Sequence, residues 1–143
     1  MTGYNIFSKQ YPICQVLIQD SKNRIWFKAG KNPQTTKLYV QDGKKIKVMT
    51  LPTKYPAPFI RLTTTYEDKN GNIWFCSNSR GVLRYDGNGF QVLDVSNGLP
   101  HNTISGFTQD REGNMWMGTI NSGYGVLKYS GERFIHFDKR DIL

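Results

Sequence analysis

Apolar residues come in short runs along this chain, broken by Gly, Asn, Asp and Ser, and the runs recur in sets of four. The last set is the cleanest. Residues 103–109 make a strand-length run with imperfect alternation, 115–119 a second, 126–129 a third and 133–137 a fourth. Between them lie Asp110-Arg-Glu-Gly113-Asn, Asn121-Ser-Gly-Tyr-Gly125 and Ser130-Gly131-Glu132. The first of these predicts a turn, because Gly permits positive φ and Asp accepts hydrogen bonds from nearby amides. No apolar periodicity is long enough for a helix, so the set predicts four short strands joined by hairpins, one meander blade.

The middle set repeats that order: 62–67, a turn at 68–72, 73–77, 81–85, the Asp86-Gly87 turn, and 90–93. The first set is more diverged: 16–19, a turn at 20–24, 25–28, a longer loop 29–36, 37–40, the Asp42-Gly43 turn, and 45–49. A turn Gly precedes an apolar residue by three positions in every set, as Gly43/Ile46, Gly87/Phe90 and Gly131/Phe134. The blades should occupy about 13–49, 60–94 and 102–138 of a single propeller-repeat domain over 1–143. Residues 4–7 read as a spare outer strand able to complete a blade contributed from elsewhere. Residues 94–102 should carry the chain between blades, and the proline-rich 50–58 should be a stiff, solvent-facing crossover.

One phrase marks each set: an Asp six residues ahead of a Trp, as Asp20/Trp26, Asp68/Trp74 and Asp110/Trp116. Repeats of this period build propellers or solenoids, which mostly bind and seldom catalyse. The expected fold is all-β, with three four-stranded antiparallel propeller blades. A closed ring normally needs about four to eight blades. Three would leave two apolar faces open, so a partner is expected. It is a homodimer or other self-association completing a ring (a two-fold pair of six blades), or the rest of a longer propeller from which this chain is excised.

Composition fits that picture. Fourteen Gly and nineteen aromatic residues point to a turn-rich β protein. No apolar run approaches the roughly 18 residues that span a bilayer, so no membrane segment is expected in this chain. The start, Met1-Thr-Gly-Tyr-Asn, shows neither a basic leader nor an apolar segment. A cytoplasmic protein fits, as does a mature or excised part of an exported one. Charge is uneven: residues 1–60 hold ten Lys/Arg against two acids, while 61–143 hold nine of each sign. Lys37, Lys45 and Lys47 border outer strands of the first set, where Lys guards an edge against aggregation; an anionic-ligand stripe is the sharper alternative. Neither a recognition helix nor an aromatic–basic platform appears, so nucleic acid is not an expected partner. Cys14 and Cys76 occupy unlike repeat positions without metal spacing, which points to buried thiols and to no metal or cofactor.

Glu67-Asp-Lys-Asn-Gly-Asn-Ile-Trp-Phe, then Gly81-Val-Leu-Arg-Tyr-Asp-Gly87, then Asn97-Gly-Leu-Pro-His-Asn-Thr-Ile104 resembles the two-component regulator propeller repeat. The third copy shares it through Asp110, Gly113-Asn-Met-Trp116, Gly118-Thr119, Gly125-Val-Leu-Lys-Tyr129 and Gly131. The first is looser, with Asn23 in place of the turn Gly and Lys28-Ala29 where the third has Gly-Thr. The resemblance implies blades of a periplasmic sensor from a bacterial hybrid two-component receptor. Such sensors often respond to oligosaccharides and signal through a histidine kinase.

The Trp residues suggest sugar-stacking platforms, but their regular place on the second strand is better explained by packing between blades. The three Asp residues read as turn acceptors, since Asp-x-x-x-x-Ile falls far short of a calcium loop. His101 borders the loop end where propellers bind ligands, and His136 lies in an outer strand. Two His in unlike positions, without a matched nucleophile, do not make an acyl-transfer triad, so no catalytic residue is assigned. The second-to-third-strand loops differ most between copies: Gly30-Lys-Asn-Pro-Gln-Thr35, Asn78-Ser-Arg80 and Asn121-Ser-Gly-Tyr124. Variable loops on a constant scaffold are how repeat proteins acquire binding surfaces. Asn32, Gln34, Asn78, Arg80, His101, Asn121 and Tyr124 are therefore the candidate ligand contacts. A non-enzymatic sensing or binding module is the expected function. The alternatives are a protein–protein scaffold and a propeller lyase, which would need a His and carboxylate cluster.

Overall fold

The structure, a computed structural model, describes residues 13–52, 62–77, 81–99, 104–119, 125–137 and 141. The expected strand at 4–7 lies outside them. The chain divides into two compact units, Met1–Arg61 and Leu62–Leu143.

The first unit holds one antiparallel meander of four strands: β1 (Ile13–Gln19), β2 (Ile25–Gly30), β3 (Lys37–Asp42) and β4 (Lys45–Val48). Strand pairing sorts the side chains onto two faces. Trp26 pairs with Val40 and Lys28 with Leu38, and all four are buried. On the other face Phe27 stacks on Tyr39, ring centroids 5.4 Å apart. Val16 stands opposite Phe27, and Val48 opposite Tyr39. Val16 is 68%, Val48 46% and Ile46 41% exposed. Every residue of β4 is exposed, Lys45 and Lys47 included, as expected of a guarded outer strand.

The anticipated loop 29–36 is mostly structured. β2 runs on to Gly30, and Pro33–Thr35 form one turn of 3-10 helix with Pro at its start. Asn32 caps it, its Oδ1 accepting from the Gln34 and Thr35 amides at 3.1 Å. Gly30 is required by crowding, because a Cβ there would stand 2.5 Å from the Thr36 Cα.

The second unit holds two more four-stranded antiparallel meanders: β5 (Leu62–Glu67), β6 (Ile73–Ser77), β7 (Val82–Tyr85) and β8 (Phe90–Leu93), then β9 (Ile104–Gln109), β10 (Met115–Thr119), β11 (Val126–Tyr129) and β12 (Phe134–Phe137). The imperfect alternation of residues 103–109 has a structural cause, which the first strands of the other two sets share. Register slips once in each, between Val16 and Ile18, Leu62 and Thr64, and where Gly118 and Thr119 meet Gly106 and Ile104. A bulge adds a residue to one strand and flips the inside–outside pattern beyond it.

These two sheets pack face to face. Trp74, Cys76, Val82 and Leu93 form one side of the core, and Ile104, Met115, Met117, Leu127 and Tyr129 the other. Trp74 is its peg, with Phe107 and Tyr129 rings each 6.0 Å away, the latter edge-on. At the first-hairpin edge Lys69 latches the sheets. Its backbone N–H donates to Gln109 Oε1 at 2.8 Å, and its Nζ to the Asp110 and Arg111 carbonyls at 2.9 and 3.1 Å. The link after β8 is also held. Asp94 caps a 3-10 turn over Val95–Asn97, Gly98 ends it, and Leu99 is buried in the core.

The cysteines correct one expectation. They are not bridged, but only Cys76 is buried. Cys14 is exposed on β1, where four of seven residues are exposed.

Candidate functional site

Two features could carry chemistry: the Asp/Trp clamps at the first hairpin of each sheet, and the connections at the opposite strand ends. In the clamps, Asp20 Oδ1 accepts from the Lys22 and Arg24 amides, and its Oδ2 from Arg24 Nε at 2.7 Å and Trp26 Nε1 at 2.8 Å. Asp68 does the same with the Asn70 and Asn72 amides, Asn72 Nδ2 and Trp74 Nε1, all at 2.9 Å. Asp110 accepts from the Asn114 amide at 2.9 Å, Asn114 Nδ2 at 3.0 Å and Trp116 Nε1 at 2.8 Å. The six-residue spacing is thus a chemical one: it delivers the indole N–H to the carboxylate that shapes the turn. In the turn itself, Gly71 and Gly113 adopt φ of 83° and 91°, and Asn23 takes the same left-handed conformation at 62°. Asn tolerates that region better than other non-Gly residues, which is why the diverged copy keeps the turn.

These carboxylates are occupied by donors of their own hairpins. Asp110 is lowered from 3.8 to about 2, chiefly by the Trp116 indole, then, against desolvation, by Asn114. For Asp20, burial pushes the carboxyl up, but the donors Trp26 and Arg24 reverse this and leave it lowered. A carboxyl lowered on folding binds protons less readily than in the unfolded chain. Its stabilisation is complete above the unfolded value and is lost as pH falls through the folded one. Melting temperature should therefore hold steady down to about pH 4 and drop between about pH 4 and 2. Thermal melts across that range check it, and a flat profile to pH 2 would contradict the clamp. Among the described residues no group of three or more His, Cys, Asp or Glu is placed to hold a metal.

The Trp faces are filled as well as their N–H groups. Arg24 lies 5.5 Å over Trp26, Arg84 5.4 Å over Trp74 and Lys128 5.6 Å over Trp116. Trp26 and Trp74 are buried, whereas Trp116 is half-buried and stacks on Phe137 at 5.5 Å. The Arg84 Nε is buried without a hydrogen-bond partner among the described residues.

At the opposite strand ends of the second unit, β6 ends and β7 begins, β8 ends and β9 begins, and β10 ends and β11 begins. These ends share one edge because the strands alternate in direction within each meander. Thr119 fastens the base of the last connection, its Oγ1 donating to the Gly125 carbonyl at 2.9 Å. Asn78, Arg80, His101, Asn121 and Tyr124 fall in these connections and lie outside the described residues. In the first unit Asn32 and Gln34 occupy the β2–β3 connection, both exposed. Asn32 spends its carbonyl oxygen on the cap, which leaves Gln34 the less committed of the two.

Lys69 and Gln109 were not found from sequence. Their pairing joins positions forty residues apart, and no local pattern signals it. Arg24 had a signal, since it shares a repeat position with Asn72 and Asn114.

Paired four-stranded meanders with Trp pegs between them define β-propeller blades. Residues 55–79 and 98–121 match the family model described as two component regulator propeller. No curated protein matches the sequence. The extracellular domain of a hybrid two component system from B. thetaiotaomicron is similar with TM-score 0.65 and 20% identity, over 90% of this chain and 17% of that one. The extracellular domain of a one component system from the same organism gives 0.68 and 16%, over 90% and 19%. Virginiamycin B lyase from Staphylococcus aureus gives 0.58 and 16%, over 88% and 45%. At such identities the likeness establishes the fold. The chain spans less than a fifth of the two extracellular domains.

Proposed function

We propose that this chain belongs to the ligand-sensing propeller of a bacterial two-component regulator, lies outside the cytoplasm, and binds an oligosaccharide through its second-to-third-strand connections. The observation behind this is the contrast between a constant scaffold and changing loops. The clamp repeats in all three sheets, while the connections read Gly30-Lys-Asn-Pro-Gln-Thr35, Asn78-Ser-Arg80 and Asn121-Ser-Gly-Tyr124. Asn78, Arg80, Asn121 and Tyr124 offer amides, a guanidinium and a phenol ring, which suit sugar hydroxyls and ring faces. Gln34 does so on its own blade, and His101 in the link between blades. The role is binding rather than bond breaking, because the repeated carboxylates are saturated by structural donors. The two extracellular relatives of the same fold support an extracytoplasmic sensor.

Calorimetric titration of the chain with a panel of short neutral and sulfated oligosaccharides tests this. At least one should bind and raise the melting temperature, by linkage worth about 2.7 kcal/mol at a hundredfold excess over Kd. Arg80→Ala or Tyr124→Ala should weaken that binding at unchanged unliganded stability. A panel without any binder, or binding indifferent to both substitutions, would overturn the reading.

A further inference from the structure

Within the second unit, the link after β8 presents a short turn whose shape is fixed from both sides. Leu93 before it and Leu99 beyond it are each 2% exposed and anchor it in the core. Asp94 Oδ1 accepts from the Ser96 amide at 2.9 Å, and the Asn97 amide donates to the Asp94 carbonyl at 2.9 Å. Asn97 Oδ1 in turn accepts from the Asp94 amide at 3.1 Å. This turn adjoins the β6–β7 connection. A Cβ on Gly81, the residue that leads into β7, would stand 2.3 Å from the Leu93 carbonyl oxygen and 3.2 Å from Asp94 Cα. The two stretches of backbone therefore touch.

The turn exposes two groups that its own fold does not use. Val95 is 56% exposed, and among the described residues of this unit no other large apolar side chain is exposed to that degree. The first position of a capped turn needs no apolar side chain, since the cap itself satisfies the open amides. Asn97 is exposed too, and its bond to Asp94 orients its amide: with Oδ1 committed, Nδ2 remains as a donor. We propose that Val95–Asn97 is a fixed wall of the ligand site, with Val95 against the C–H face of one sugar unit and Asn97 Nδ2 donating to an oxygen of the ligand. This rests on the neighbouring β6–β7 connection being an oligosaccharide contact, and it extends that site onto the link. A sugar suits the pair of groups because it carries apolar C–H patches edged by oxygen acceptors. The turn is ordered in advance, so the contact avoids the entropy that a loop ordered only by its ligand would lose.

Val95→Thr keeps the shape of the side chain and exchanges a methyl for a hydroxyl, whereas Val95→Asp adds a charge. Both alter an exposed residue, so the melting temperature without ligand should not move. In calorimetric titration with the neutral and sulfated oligosaccharides, Val95→Thr should weaken binding about threefold and Val95→Asp at least about tenfold. Val95→Ile should keep or raise affinity. Asn97→Asp retains an acceptor for the Asp94 amide but removes the donor, and should weaken binding about fivefold, the worth of one hydrogen bond. A panel without any binder overturns this assignment together with the sensing reading. Binding that Arg80→Ala or Tyr124→Ala weakens, but that Val95→Asp and Asn97→Asp leave unchanged, overturns this assignment alone.

Discussion

Trp74→Ala should destabilise the Leu62–Leu143 unit by about 3–5 kcal/mol, the usual loss for truncating a fully buried Trp. The ring is 2% exposed and reaches from β6 to both Phe107 and Tyr129. Its removal opens a cavity that Met115 and Met117 can only partly fill. Trp74→Phe separates packing from hydrogen bonding. It keeps most of the ring volume but deletes the N–H donated to Asp68, so the loss should be about 1.5–3 kcal/mol, the worth of one hydrogen bond to a charged group. Urea unfolding monitored by circular dichroism distinguishes the two. A Trp74→Ala loss under about 1 kcal/mol would mean that the ring is not the peg between these blades.

Asp68→Ala is the second large effect, expected at about 3 kcal/mol. It strands the buried Trp74 indole N–H, which costs about 1–3 kcal/mol, and removes the acceptor for two amides of the turn, each worth about 0.5–1.5 kcal/mol. Asp68→Asn is the informative partner variant. Its Oδ1 can still accept from the Asn70 and Asn72 amides, but its Nδ2 then faces two donors, the indole and the Asn72 side chain. Stability should fall between wild type and Asp68→Ala, and the same unfolding measurement ranks the three. Equal stability of Asp68→Asn and wild type would show that the charged oxygen is not what holds the indole.

Strand order, turn positions and the all-β class were legible because the signals are local. A turn such as Asp68–Asn72 is specified by an Asp that bonds amides two and four residues on and by a Gly that takes positive φ. Even its spacing to Trp74 was visible, though the reason was not. The hydrogen bond behind it needs the hairpin to fold the sixth residue back over the first, and a linear pattern does not display that. The strand bulges were legible only as a blemish in alternation. The 3-10 turn in the first long connection was missed because Pro33 reads as a loop marker, although Asn32 before it is a good cap. The candidate contacts at Asn78, Arg80, His101, Asn121 and Tyr124 rest on divergence between copies, a signal that marks tolerance to change without naming a ligand.

The sequence by itself determined three meanders, each with a carboxylate-capped turn and a Trp six residues on, because each depends on groups within a few residues of one another. Tertiary structure decided which Trp is buried. Trp74 and Trp116 hold the same position in their repeats, yet one is enclosed by Phe107 and Tyr129 while the other is half-exposed beside Phe137. Burial depends on what another sheet brings to the face, and no property of the strand that carries the ring encodes it.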